Sequence, residues 1–317
     1  MKRPFLQVAV GVIERDDGHI LIAKRHADAH QGGLWEFPGG KRETGETFAR
    51  TLQRELAEEL GIIVQHAEPL IKIPYQYDDC RVLLDVWRVN AFIGNPSGRE
   101  GQEITWVQRH NLSEYDFPAA NRPIINAIRL PPFYAILEGV DEHQVLMRFE
   151  RILANKVKMV QIRLKTLKMP VMDTLLAQLR QKAQAGGCQL LMNSALPVCL
   201  ADSHAIGMHL TSDDLMRYAS RPEGFKWVAA SCHTAAELAQ AEKIGVDFVV
   251  LAPVQKTASH PDAPALGWPQ FKQLTENCGL PVYALGGVGA ADLPQVKDCG
   301  GQGVAGIRTF IKDRGGC

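Results

Sequence analysis

Three glutamates of the 317-residue chain, Glu55, Glu58 and Glu59, fall three and four residues apart in the stretch RELAEELG. On a helix those spacings project to one face. Such a face suits two roles. It can be an ordinary solvated surface with ion pairs such as Arg54–Glu58. Alternatively, its self-repelling carboxylates are hard oxygen ligands for a divalent cation, which would bridge phosphate oxygens and activate a water. The glycine-rich turn just before it favours the second role, because glycine lets a phosphate chain approach the backbone. Further along, Cys232 and His233 make a cysteine–histidine pair on paper. Neighbours on a strand end point to opposite sides, so this pair reads as structural.

The elements that must hold these residues are legible around them. Helical periodicity runs from Thr47 to Leu60, with Phe48, Leu52, Leu56 and Leu60 as the buried stripe and Gly61 as the stop. Upstream, LQVAVGVIER and HILIAKR flank the turn DDGH, a hairpin signal. Downstream come strand-like RVLLDVWRVNAFIG and ITWVQ, then the loop SEYDFPAANRP and a short helix ending near Leu130. After LPPF the rhythm changes. FYAIL, VKMVQIR, CQLLMN, IGMHL, KWVAAS, DFVVLAP, PVYALGG and GVAGI alternate with amphipathic helical stretches. Eight strands and their helices in about 180 residues predict a (β/α)₈ barrel. The expected domains are residues 1–130 and 131–317 of an α/β protein.

Thirty-five basic residues balance thirty-five acidic ones. That gives no electrostatic footprint for a nucleic-acid polymer or an anionic membrane, and leaves room for a single nucleotide held through metal. The seven cysteines are dispersed without a CxxC pair, which fits reduced thiols. The N-terminal apolar run is short and broken by Gln7, and no segment nears the ~20 apolar residues of a membrane helix. The expectation is a soluble, cytoplasmic protein.

Written out, Gly40 to Ile62 reads GKRETGETFARTLQRELAEELGI. This resembles the Nudix signature with every defining position filled. They are Gly40, five residues, Glu46, seven residues, Arg54-Glu55-Leu56, one residue, Glu58-Glu59, one residue, and Gly61-Ile62. The resemblance implies an α/β/α sandwich whose loop–helix–loop binds Mg²⁺, with Mn²⁺ able to replace it, and hydrolyses a nucleoside diphosphate linked to another moiety. Glu55, Glu58 and Glu59 would be catalytic and ligate the metal, with Glu55 doubling as general base. Arg54 and Glu46 would pair to hold the loop on the helix, and Lys41 would neutralise phosphate charge.

Outside that box, AVGVI, KRHADAH, WEFPGGK, EGQ and DFPAANRPII resemble the MutT-type 8-oxo-dGTP diphosphatases. This implies a nucleoside triphosphate substrate, pyrophosphate as a product, and a role in nucleotide-pool sanitation and DNA repair. Glu100 and Gly39 would join the metal ligands. Asn121 would read the oxidised purine edge, since an amide offers donor and acceptor together. Arg25, Phe37 and Arg81 would line the base pocket. Read from the residues alone, Asn121 can equally cap a turn and Phe37 can equally be core.

The second half resembles thiamine phosphate synthase and its relative TenI across residues 133–312. VQIRLK matches QxRxK, and MNS, GMHLTSDD, SCHTAAEL, PVQKTASHPDAPALGW and ALGGV follow in the family's order. The implied ligand site, for a thiamine-related phosphate, comprises Gln161, Arg163, Lys165, Asn193, Asp214, Thr257, Ser259, Gly286 and Gly287. The departures are informative. Asn193-Ser194 replaces Asn-Asp and removes one metal carboxylate, leaving Asp214. His260 stands for the phosphate-loop lysine, Arg308 for a small residue, and Pro253 for the histidine associated with TenI chemistry. Losing charge neutralisation weakens diphosphate activation. The barrel is therefore expected to be degenerate, the alternatives being an active synthase or a non-catalytic ligand sensor.

Overall fold

The computed structural model describes residues 6–28, 31–78, 80–164, 171–196, 206–257 and 264–311. Lys165 and Ser259 of the expected barrel site lie outside the described residues, as does His260. The chain divides into two compact units, Met1–Leu130 with Glu276–Gly279, and Pro131–Thr275 with Leu280–Cys317.

Among its described residues the first unit carries seven strands: β1 (Leu6–Ile13), β2 (His19–Lys24), β3 (Trp35–Glu36), β4 (Gly39–Lys41), β5 (Ile63–Gln76), β6 (Arg81–Ile93) and β7 (Ile104–Gln108). Its described α-helices are α1 (Phe48–Leu60) and α2 (Arg122–Arg129). One sheet has the order β4-β1-β6-β5 and the other β3-β2-β7. Alternation along β1 builds two cores from one strand. Ala9 and Ile13 pack with Leu52, Leu56 and Leu60 of α1. Val10 and Val12 pack with Ile124, Ile125 and Ile128 of α2. A helix thus covers each face.

Thr47 caps α1, its hydroxyl accepting from the Arg50 N–H, and Gly61 ends it at φ +71°. That left-handed conformation suits glycine, and a Cβ there would strike the Arg99 guanidinium at 2.2 Å.

Two expectations are corrected here. The DDGH turn forms, the Arg15 N–H donating to the His19 carbonyl, but β1 and β2 do not make a hairpin. After one bridge, Glu14–Ile20, they part into different sheets. A strand has only two hydrogen-bonding edges, and β1 gives one to β4 and the other, in parallel, to β6. The long strand β5 was not foreseen. Pro69 and Pro74 interrupt its pattern, and it lies at the sheet's edge, where proline is tolerated.

The second unit carries β8 (Phe133–Leu137), β9 (Met159–Ile162), β10 (Gln189–Asn193), β11 (Gly207–Leu210), β12 (Val228–Cys232), β13 (Phe248–Leu251), β14 (Val282–Ala284) and β15 (Gly303–Gly306). They close into an eight-stranded parallel barrel, and each arises from one of the apolar runs read in the sequence. Its described helices are α3 (Glu142–Ala154), α4 (Val171–Ala185), α5 (Ser212–Arg217), α6 (Ala235–Ile244), α7 (Gly267–Glu276) and α8 (Leu293–Asp298). Tyr134, Phe248 and Tyr283, all fully buried, meet edge-on or tilted at 5.4–5.7 Å inside it. The interior is filled, so a ligand has room only at an end. No described helix is long and apolar enough to cross a membrane.

Candidate active site

The periodicity of α1 that buries its leucines turns Glu55 and Glu59 toward the glycines of β4. The Gly39 N–H donates to Glu59 Oε2 at 3.1 Å. A Cβ on Gly40 would lie 2.2–2.4 Å from the Glu55 carboxyl group, and one on Gly39 would lie 2.1 Å from the Ala9 carbonyl. Only glycine permits this approach. Glu58 is more exposed, its side chain 57% against 15% for Glu55, and Arg54 Nη1 reaches both, Glu55 at 2.9 Å and Glu58 at 3.2 Å. Glu58 thus stands at the outer edge of the face on which Glu55 and Glu59 converge.

Arg54 fastens the loop to the helix, as its pairing with Glu46 predicts. Nε and Nη2 donate to Glu46 Oε1 and Oε2 at 2.9 and 3.0 Å, and Nη2 also reaches the Lys41 carbonyl at 3.1 Å. These bonds, with help from Thr51 and the Glu43 N–H, hold the Glu46 carboxyl down at about 2. A second clamp, unnoticed in the sequence, grips the other end of α1. The Glu59 carbonyl accepts from the Arg99 N–H at 2.9 Å and from Gln102 Nε2 at 3.1 Å. Gln102 Oε1 accepts from the Glu100 N–H at 2.9 Å, which ties Glu100 to the last turn. The only signal was the glutamine of REGQE.

Burial pushes the Glu59 carboxyl up to about 8, and the nearby Glu36, Glu55 and Glu100 add to it. Burial likewise raises Glu55, against Arg54, with Glu58 and Glu100 contributing. Among the described residues no three acidic, histidine or cysteine side chains already enclose an ion. The donor set nevertheless fits a hard divalent cation, because half-buried carboxylates that repel one another gain most from one.

Beside this set lies a cavity of about 500 Å³ that Gly39, Gly40 and Lys41 share with Arg25, Glu36, Phe37 and Asn121. Val8, Val10, Val82 and Leu84 give it apolar walls. Phe37 is both core and wall, stacked on Phe117 at 5.2 Å. Asn121 is 9% exposed and precedes α2, but its side chain makes no capping bond. Arg25 is ion-paired with Glu36, whose carboxyl burial raises against that pairing. Tyr77 and Cys80 also line the cavity, and Arg81 does not. Cys80 and Val82 flank Arg81, and successive strand side chains alternate faces. Tyr77, not singled out in the sequence, stands in that lining.

In the barrel, a cavity of about 430 Å³ opens where the strands end, lined by Arg163, Asn193, Thr211, Ser231 and His233 among others. Cys232 is fully buried, while His233 bonds the Ala252 carbonyl through Nδ1 at 2.7 Å, so the pair diverges as expected. Arg163 is held by Glu138, Nε to Oε1 at 2.7 Å. Gln161 lies deeper, 2% exposed on β9. Gly286 and Gly287 take φ +94° and +68°, and a Cβ on either would strike the backbone of Pro253 or Lys256. Thr257 touches the Gly286 position. Asp214, behind the wall, accepts from the Ser194 and Thr211 hydroxyls at 2.5 and 2.8 Å, which lowers its carboxyl. His209 bridges Tyr134 and Ser231 at 3.0 and 2.9 Å and is held neutral, burial lowering it to about 3.

Residues 9–127 match the family model of the NUDIX domain, and residues 133–310 that of thiamine monophosphate synthase. The 8-oxo-dGTP diphosphatase of Escherichia coli (strain K12) is 43% identical over 124 residues, 39% of this chain and 96% of that protein. The chain belongs to both families. The CTP pyrophosphohydrolase of the same organism is 36% identical over 122 residues, 38% of this chain and 90% of its own length. A putative thiamine-phosphate synthase 2 of Aquifex aeolicus (strain VF5) is 32% identical over 187 residues, 58% of this chain and 100% of that protein. The NUDIX unit is therefore a hydrolase acting on phosphorus anhydrides, followed by a barrel of thiamine phosphate synthase type.

Proposed function

We propose that residues 1–130 form a Mg²⁺-dependent NUDIX domain that hydrolyses 8-oxo-dGTP to 8-oxo-dGMP and pyrophosphate, and that residues 131–317 form a ligand-binding barrel without synthase turnover. The observation that carries the first part is Asn121. Its amide makes no capping bond and lines, with Phe37, a cavity that reaches the Gly39–Lys41 strand beside the carboxylates. An amide there can offer a donor and an acceptor to the edge of an oxidised purine while Phe37 gives apolar contact. Relatives named for 8-oxo-dGTP and for CTP both match this half. The larger identity is to the former.

Each residue then has a task. Glu55, Glu58, Glu59, Glu100 and the Gly39 backbone would hold Mg²⁺, or Mn²⁺ in its place. The bound ion would neutralise phosphate charge and lower the pKa of a coordinated water. Glu55, raised by burial and leaning on Gly40, takes the proton of the attacking water as general base. Lys41 meets phosphate charge at the cavity's rim, and the Arg54–Glu46 pair keeps that rim on α1. Removing an oxidised triphosphate from the nucleotide pool protects replication and gives the activity its place in DNA repair.

The test is Mg²⁺-dependent pyrophosphate release by the full chain from 8-oxo-dGTP, dGTP and CTP. Preference for 8-oxo-dGTP that Asn121→Ala reduces roughly 10- to 100-fold supports the reading, that being the usual discrimination of a bidentate contact. Equal rates on all three, or a preference untouched by Asn121→Ala, would sink it.

A further inference from the structure

We infer that Ser194 engages the Asp214 carboxylate so that the end of β10 and the start of α5 hold no divalent cation. The loss of an aspartate at position 194 would by itself leave one carboxylate to ligate. The structure goes further, because the serine hydroxyl captures the carboxylate that remains.

Asp214 Oδ2 accepts two hydroxyl bonds, from Ser194 Oγ at 2.5 Å and Thr211 Oγ1 at 2.8 Å. Its Oδ1 faces Arg217 Nη1 at 3.4 Å. Ser194 Oγ also accepts from the Thr211 N–H at 3.0 Å, and Thr211 Oγ1 accepts from the Asp214 N–H at 3.1 Å. The ring ties the end of β10 to the start of α5, where Thr211 is the cap. A cation on Oδ2 would have to displace two charge-assisted hydroxyl bonds, and one on Oδ1 would lie beside the Arg217 guanidinium. Either would gain one carboxylate in return.

Mg²⁺ is held by one or two carboxylates together with substrate phosphates and keeps most of its waters. Among the described residues lining the cavity, Arg163 is the only arginine or lysine, and Glu138 pairs with it. The other polar walls are neutral donors and acceptors, Asn193, Thr211 and Ser231, with His233. Among the described residues of that lining there is no carboxylate to share a cation with Asp214. The inference does not depend on the hydrolase reading.

Bound Mn²⁺ per full-length chain, counted by electron paramagnetic resonance, tests it. Asp214→Asn, which keeps the shape of the ring, should bind as many ions as the natural chain. Ser194→Asp should bind one more, and that ion should vanish in Ser194→Asp combined with Asp214→Asn. A lower count in Asp214→Asn alone, or no gain in Ser194→Asp, overturns the inference.

Discussion

The two units treat their buried polar groups in opposite ways. In the NUDIX unit burial raises the Glu59 carboxyl to about 8 against its one donor, the Gly39 N–H, and the nearby Glu36, Glu55 and Glu100 add to the rise. In the barrel Asp214 has two hydroxyl donors and its carboxyl falls, while His209 lies neutral between two hydroxyls. A group left under-satisfied stores free energy that a ligand can release; a group satisfied within the protein rigidifies the fold and has little left to offer. The contrast marks where chemistry is expected.

The largest effect expected from this contrast is at Glu59. Glu59→Gln should lower pyrophosphate release roughly 100- to 1000-fold, the usual scale for removing one preorganised electrostatic group. In EDTA above pH 8 its melting temperature should equal or exceed that of the natural chain, since a carboxylate facing like charges has gone. A fall in melting temperature would mean that Glu59 is structural.

Gly40→Ala comes next. The new Cβ would overlap the Glu55 carboxyl group, and a displacement of about 1 Å near reacting groups costs roughly 100-fold in rate. Steady-state kinetics should show this mainly in kcat. An unaltered kcat would separate Glu55 from the chemistry.

The barrel supplies a pH prediction. His209 titrates at about 3 in the folded protein, against an ordinary value of 6.5. Between those values the unfolded chain binds a proton that the folded chain refuses, so stability falls as pH drops through the window. Denaturant titrations should show His209→Gln flattening that slope by roughly 1.4 kcal/mol per pH unit. An unchanged slope would mean that His209 is protonated in the fold.

The smallest effect belongs to Ser194→Ala. It removes one of the two hydroxyl donors to Asp214, whose lowered carboxyl contributes stability that is present above pH 4 and lost in more acid solution. Acid unfolding of the barrel should begin at slightly higher pH. Hydrolase kinetics should not move.

Much of this was open to reading from the chain. The four-residue spacing of Leu52, Leu56 and Leu60 fixes the face that α1 buries, and therefore the face on which Glu55 and Glu59 stand. The eight barrel strands are continuous apolar runs because both of their faces are covered, and such runs need no partner to be recognised. Pairing was harder. DDGH makes its turn, yet β1 finds other partners at residues 39–41 and 82–89, a choice between distant segments that no local pattern carries.

The sequence by itself determined the helix with its carboxylates, the glycines that let them approach, and the identity of the barrel strands, because each follows from local spacing and side-chain chemistry. Only the tertiary structure decided the state of those groups. Glu58 pairs with Arg54 while Glu59 lies buried among like charges, Gln102 ties Glu100 to α1, and Ser194 reaches Asp214 across twenty residues of chain. Burial and hydrogen-bond partners set whether a carboxylate is available, and both are properties of what the fold brings alongside it.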